Sequence, residues 1–240
     1  MPRFFCENIG ENSAVITGED AKHISKVLRM RVGEELTLCD TKGTDYICSI
    51  STISPDEICL DILQRQPSLT EPNVFVKLYQ GIPKGDKAEF IIQKAVELGV
   101  GEITFFDSSR CVAKIDQKSM DKKITRFQRI AYEAAKQCGR GIIPQIRPVL
   151  TFKQAVTEML ACDLPIMLYE NSTAPLKQTL STPAKTISVM VGPEGGFSPE
   201  EADFAKSQGC FSLSLGKRIL RCETAPIAAL AVIMYQTENL

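Results

Sequence analysis

The sequence predicts an α/β protein of two domains, a small N-terminal β-barrel and a larger C-terminal domain with a mostly parallel sheet. Three observations carry this. Residues 1–70 hold short alternating strand-like segments around one helical stretch. Residues 66–72, Gln66-Pro-Ser-Leu-Thr-Glu-Pro72, are proline-bearing and aperiodic, as a linker is. Residues 73–240 then alternate strand-length and helix-length runs.

In the first domain, Glu35-Leu-Thr-Leu-Cys-Asp40 and Asp45-Tyr-Ile-Cys-Ser-Ile50 alternate, and Thr41-Lys-Gly-Thr44 supplies the hairpin turn between them. A third strand follows over 57–63. Over 18–30 the apolar spacing of Ala21, Ile24, Val27 and Leu28 is helical. In the second domain, residues 74–80 read as a strand and 87–98 as a helix stopped by Gly99. A strand over 103–106 precedes a long helix over 119–138, ended by Gly139. The runs 165–169, 187–191 and 211–215 read as further strands. An apolar helix begins near Ala225, with Thr224 as its N-cap.

Composition narrows the function. Apolar residues are 44% and the formal net charge is −1, which excludes a disordered chain. No apolar run approaches the ~20 residues of a membrane span. The first eight residues have no signal-peptide core. Nine cysteines without close pairs fit neither a zinc site nor a disulfide scaffold, so they read as buried thiols of a cytoplasmic protein with no metal. The single histidine, His23, excludes chemistry needing a histidine pair. Charge is unevenly spread. Residues 77–153 hold fifteen Lys/Arg against eight Asp/Glu, whereas 154–210 hold three against seven. A basic face of that kind is either a solvated surface or a nucleic-acid footprint.

Two segments carry chemistry. Val191-Gly-Pro-Glu-Gly-Gly-Phe-Ser-Pro-Glu-Glu201 runs from a strand through a glycine loop into a helix whose start is specified by Ser198, Pro199 and Glu201. Ligands of open α/β sheets bind beyond such strand ends. The loop is neither a dinucleotide fingerprint nor a P-loop. Glu194 works against a phosphate and suits a ligand with a positive centre. The second segment, Leu213-Ser-Leu-Gly-Lys-Arg-Ile-Leu-Arg-Cys-Glu-Thr-Ala225, again follows a strand with a glycine and then sets charges beside Ile219 and Leu220. A weaker feature is Lys94 with Glu97, which the spacing places on the apolar face of Phe90 and Leu98 or at its edge.

These two motifs together resemble the 16S ribosomal RNA (uracil-N3) methyltransferase family, of the SPOUT class. Further matching stretches are Met1-Pro-Arg-Phe-Phe, His23-Ile-Ser-Lys-Val-Leu-Arg29, Gln93-Lys-Ala-Val-Glu-Leu-Gly-Val100 and Cys138-Gly-Arg140. Lys217 and Cys222 depart from the residues common in that family. The resemblance implies a PUA-like β-barrel RNA-binding domain over 1–70 and a SPOUT α/β methyltransferase domain over 73–240 with a deep trefoil knot. It also implies a homodimer, whose interface would include residues 225–235.

By the same resemblance the cofactor is S-adenosylmethionine, held by three loops. Leu168, Tyr169 and Glu170 form the first. Gly192, Pro193, Glu194, Gly195 and Gly196 form the second. Leu215, Gly216, Ile219 and Leu220 form the third. The substrate would be N3 of a uridine in the decoding region of 16S rRNA, probed within the small ribosomal subunit. Arg221 would stabilise charge developing on the uracil carbonyls, and Glu223 would accept the N3 proton or orient Arg221. RNA would be held by Arg3, Arg29 and Arg31 from the barrel and by Lys84, Lys94, Arg110, Lys136 and Arg140 from the basic block. Rival readings are a ribose 2′-O-methyltransferase of tRNA or rRNA, a non-catalytic RNA-binding protein and a metabolite-binding regulator.

Overall fold

The computed structural model describes residues 1–54, 56–111 and 117–240. Lys114 and Asp116 of the basic block lie outside these residues. The chain forms two compact units. One comprises Met1–Glu71 with Ala135–Ile143, the other Pro72–Ala134 with Pro144–Leu240. Among the described residues no helix is long and apolar enough to cross a membrane, and no cluster of His, Cys, Asp and Glu is arranged to hold a metal.

The first unit is a curled five-stranded sheet in the order β1-β3-β4-β5-β2. Its strands are β1 (Arg3–Phe5), β2 (Ser13–Thr17), β3 (Glu35–Cys39), β4 (Thr44–Ile53) and β5 (Glu57–Pro67). Two register shifts between β4 and β5, at Ile47/Cys48 and Ile50/Thr52, bend these long strands. The β3–β4 turn forms as the sequence predicts. Asp40 Oδ1 accepts the N–H groups of Lys42 and Thr44 at 2.8 and 2.9 Å, and Gly43 takes φ +97°.

The helical stretch departs from expectation. α1 (Gly18–Lys22) runs into a π-helical turn over His23–Val27. The widened turn is closed by Leu28 N–H donating to His23 O at 2.9 Å, and Arg29, at φ +54°, ends it. Ala21, before the widened turn, and Ile24, within it, are fully buried as predicted. Val27, its last residue, and Leu28, which follows, rotate outward and are 68% and 40% exposed.

The second unit carries a six-stranded, all-parallel sheet in the order β11-β9-β10-β6-β7-β8. Its strands are β6 (Phe75–Gly81), β7 (Glu102–Asp107), β8 (Gln145–Thr151), β9 (Leu164–Leu168), β10 (Thr186–Val191) and β11 (Phe211–Leu213). The helices are α2 (Lys87–Glu97), α3 (Gln117–Cys138), α4 (Phe152–Met159), α5 (Leu176–Thr179), α6 (Pro199–Ser207) and α7 (Thr224–Gln236). The apolar runs of β9 and β10 are buried along their length, as strands covered on both faces must be.

Sequence patterning misses β8, an edge strand interrupted by Pro148, and α4, although Thr151 and Gln154 close a capping box at its start. β11 ends two residues early, at Leu213. α7 begins at Thr224, so Glu223 and not Thr224 holds its N-cap position, without a side-chain capping bond. On α2 the buried residues are Ala88, Ile91, Ile92, Ala95 and Val96. Lys94 and Glu97 form a half-exposed edge pair at 2.8 Å, and Phe90 is exposed. Among the described residues no cysteine is in a disulfide, but Cys6, Cys59, Cys111 and Cys138 are only half-buried.

Candidate functional site

The sheet register sets the site. Val191 of β10 pairs with Leu168 of β9 and with Gln80 of β6, and Leu168 pairs with Leu213 of β11. Four strands therefore end side by side. The loops that leave β9, β10 and β11 line a pocket of about 420 Å³. All cofactor candidates line it: Leu168, Tyr169 and Glu170 from the first loop, 192–196 from the second, and Leu215, Gly216, Ile219 and Leu220 from the third. Arg221 also lines it; Glu223 does not.

Local chemistry holds each loop. Tyr169 N–H donates to Leu213 O at 3.0 Å, tying the first loop to β11. In the glycine loop Gly196 takes φ +65°, a conformation that L side chains rarely adopt, and it lies against the carboxylate end of Glu170. The loop then locks into the core through Phe197, which is 1% exposed and lies between Phe106 and Phe152 at ring distances of 6.2 and 5.9 Å. The predicted capping box forms at once afterwards: Ser198 Oγ accepts from Glu201 N at 3.2 Å, and Glu201 Oε2 accepts from Ser198 N at 2.9 Å. Glu201 Oε1 also accepts from Ser109 N at 2.8 Å, which brings the neighbouring Arg110 over the loop. Arg110 Nη1 donates to Gly195 O at 3.0 Å.

Beneath the glycine loop two residues matter that sequence reasoning does not single out. Gly81 ends β6 so close to the loop that a Cβ would meet Pro193 at 2.5 Å. Lys87, in the first turn of α2, places Nζ 3.1 Å from Glu194 Oε1 and 3.1 Å from Glu223 Oε2. One ammonium thus joins a carboxylate from each of the two motifs. Lys84 N–H adds a bond to Glu194 Oε1 at 3.1 Å, and the Cys222 thiol donates to Glu223 Oε2 at 3.2 Å. No local pattern could reveal this, because Lys87 lies more than a hundred residues from both partners.

The charges follow from the geometry. Hydrogen bonds to Glu223, and then to Glu194, hold the Lys87 ammonium well above the ordinary lysine range. Burial pushes both carboxyl groups up, but their hydrogen bonds outweigh it. Backbone N–H groups and Lys87 take Glu194 below the usual range. The Cys222 thiol, a backbone N–H and Lys87 do the same for Glu223. Burial, reinforced by the neighbouring Glu223, pushes the Cys222 thiol up to about 12.

This corrects the expectation for Glu223. Among the described residues its side chain bonds Lys87 and Cys222 rather than Arg221, and a carboxyl held below the usual range is a weaker proton acceptor than a free one. Arg221 is exposed at the pocket and forms no ion pair among the described residues. The pocket's composition suits the expected cofactor. Leu168, Val191, Leu213 and Leu220 offer apolar surface, the glycines expose backbone, Glu170 and Glu194 supply acceptors, and Lys217, Arg218 and Arg221 bring cations to the third loop.

The expected RNA cations divide. Arg29, Arg31 and Lys84 are exposed, and so is Arg110 on the rim of the glycine loop. Arg3 is instead a fork on Asp45, at 2.8 and 2.6 Å, and also donates to Ser68. Arg140 is 4% exposed and bonds Glu71 at 2.6 Å; Glu71 Oε1 also accepts from Gly141 N and Ile142 N at 2.7 and 3.0 Å. Lys136 pairs with Asp20 at 2.6 Å and lies over the Phe4 ring. Lys94 is in its edge pair. For these four the surface-cation expectation is corrected: each already neutralises a carboxylate of its own unit.

Comparison with known proteins agrees with this architecture. The family model described as an RNA methyltransferase domain matches residues 70–234, and that described as an RNA methyltransferase PUA domain matches residues 16–63. Ribosomal RNA small subunit methyltransferase E of Bacillus subtilis (strain 168) is 36% identical over 232 residues, covering 94% of this chain and 91% of that protein. The crystal structure of the enzyme of the same name from Neisseria gonorrhoeae, bound to S-adenosyl methionine, superposes with a TM-score of 0.86 at 32% identity, over 98% of this chain and 97% of that one. A methyltransferase structure from Legionella pneumophila, in complex with the same cofactor, gives 0.82 at 33% identity over 97% and 96% of the two chains.

Proposed function

The chain belongs to the ribosomal RNA small subunit methyltransferase E family, and from that premise we propose that it methylates N3 of a uridine in the decoding region of 16S rRNA, using S-adenosylmethionine. The observation that carries the reading is the pocket itself. Three loops far apart in sequence converge on one cavity at the ends of parallel strands, lined by every cofactor candidate and by Arg221.

Bound S-adenosylmethionine supplies an electrophilic methyl group on a cationic sulfur. The chain's residues do the rest. The loops 168–170, 192–196 and 215–220 bind and orient. Arg221 lines the pocket and forms no ion pair among the described residues, which suits it to stabilise negative charge on the uracil carbonyls as N3 loses its proton to water. Arg29, Arg31, Lys84 and Arg110 hold phosphates, and the base must leave its stack to be reached.

A homodimer belongs to this reading. α7 is apolar on its outer face as well as its inner one: Ile227 and Ala231 are half-buried, and Val232 and Tyr235 are 41% and 73% exposed. The trefoil crossing also belongs to it. The chain leaves β11 at the sheet edge, runs 214–223 past the ends of its neighbours, and only then lays α7 against β10 and α2. Assembled small subunits in the cytoplasm are the proposed substrate, recognised by shape.

The test is methyl transfer from S-adenosylmethionine to unmodified small subunits, with naked 16S RNA alongside, read by nucleoside mass spectrometry. N3-methyluridine is expected, more on subunits than on naked RNA. A ribose 2′-O-methyl product, or none despite cofactor binding, overturns the substrate assignment.

A further inference from the structure

The cluster around Lys87 is unused by the chemistry above, yet it joins the two segments that form most of the pocket. We infer that Lys87 is a positioning residue, which ties Glu194 and Glu223 into one ion-pair cluster and so fixes the glycine loop against the Arg221 loop. The inference rests on the methyltransferase reading for its relevance to catalysis, though not for its geometry.

Three elements meet at this cluster. α2 contributes Lys87. The glycine loop contributes Glu194, whose Oε1 also receives Lys84 N–H. The loop before α7 contributes Glu223, with Cys222 donating to it. Each carboxylate neighbours pocket-lining residues: Glu194 is one itself, between Pro193 and Gly195, and Glu223 is two residues from Arg221. Both carboxylate oxygens bond the same nitrogen, so they lie within about 6 Å of each other, where two bare carboxylates repel. With Lys87 in place the two loops attract a common centre. Without it they push apart, and the guanidinium of Arg221 moves with its loop.

This makes a signature that simple loss of packing does not share. Removing the ammonium leaves two carboxylates without their shared counter-cation, each keeping only neutral donors, and protonating one of them relieves the repulsion. The defect of a Lys87→Met variant therefore depends on pH, and it shrinks as pH falls. The ligand must not confuse the reading, since a cationic sulfonium would be drawn to the extra negative charge. S-adenosylhomocysteine, which lacks that charge, is the suitable probe.

The experiment is calorimetry of S-adenosylhomocysteine binding to wild type, Lys87→Met and Lys87→Arg, at pH 8 and pH 5.5, with melting curves to verify folding. Affinity of Lys87→Met should fall about tenfold at pH 8, the scale of coupling within one charge network. It should recover at pH 5.5 relative to wild type, and Lys87→Arg should restore most of it at both. Wild-type affinity in Lys87→Met, or a loss equal at both pH values that arginine does not repair, overturns the inference. If Lys87→Met does not fold, Glu223→Gln serves instead. It leaves the Lys87–Glu194 pair intact, so its loss must be smaller than tenfold and independent of pH; a pH-dependent loss contradicts the cluster. The two proposals fail separately. A wild type that binds the probe but does not methylate subunits rejects the substrate reading, and the Lys87 result then still decides the positioning role.

Discussion

Phe197 stacks on Phe106 with ring planes 5° apart and centroids 6.2 Å apart, and through this contact the glycine loop is anchored in the core of the parallel-sheet unit. Phe197→Ala removes a fully buried ring and should destabilise that unit by about 3–5 kcal/mol, the usual cost of a phenylalanine cavity. Chemical denaturation would measure it. A loss below about 1 kcal/mol would show that the loop is held by its cap alone.

Gly196 tests the loop from the other side. Alanine there must adopt a positive φ of +65°, which L side chains rarely take. Gly196→Ala should cost about 1–3 kcal/mol of local strain and weaken S-adenosylmethionine binding correspondingly. The measurement is calorimetry, with the melting temperature as control. Unchanged affinity would mean that the loop backbone does not touch the ligand.

Arg221→Ala should separate binding from chemistry. The guanidinium serves charge that develops only during transfer, so kcat should fall by about a hundredfold or more while cofactor affinity stays near wild type. Single-turnover methylation of small subunits reads the first and calorimetry the second. Wild-type turnover removes Arg221 from the mechanism.

Acid should loosen the site in a defined window. Glu194 and Glu223 titrate below the usual carboxylate range in the folded chain, so the unfolded chain binds protons first as pH falls. Their stabilisation is complete above the reference value of 4.5 and disappears as pH drops through their lower, folded values. Melting temperature measured from pH 6 to pH 3 should therefore fall less steeply in Glu223→Gln than in wild type. Parallel curves would show that the cluster adds nothing to acid sensitivity.

The two classes of arginine should give different phenotypes. Arg29→Ala and Arg31→Ala should each flatten the salt dependence of RNA affinity by about one phosphate contact, with stability unchanged. Arg3→Ala and Arg140→Ala should lower the melting temperature, because each leaves a carboxylate without its partner. Filter binding across a salt series, alongside thermal melts, distinguishes them.

What the sequence discloses and what it hides have physical reasons. The glycine loop, its Ser198–Glu201 cap and the strand before it are local patterns within a dozen residues, and all are legible. The linker breaks periodicity, but no local pattern tells that Ala135–Ile143 belongs with the first unit. Lys87 is hidden because its partners are brought to it only by strand order. Val27 and Leu28 mislead because one widened helical turn shifts the face that spacing implies. Arg140 looks like a surface cation because charge counting cannot see Glu71 waiting for it. β8 is masked by a proline that only an edge strand tolerates.

The pocket is lined by residues that run from Leu168 to Ala225, and its underlying clamp begins at Lys87. Consequently a chain growing on the ribosome owns no part of a working site until Arg221, Cys222 and Glu223 have emerged, whatever has folded upstream. At synthesis rates of about 5–20 residues per second, several seconds separate the appearance of Lys87 from that of its last partner. For most of that interval neither Glu194 nor Glu223 has been made, and only over its last stretch does the Lys87 ammonium have Glu194 to hold it. Capture of the cofactor is therefore a late event in the life of each molecule, and it reports that the chain has been made as far as the first turn of α7.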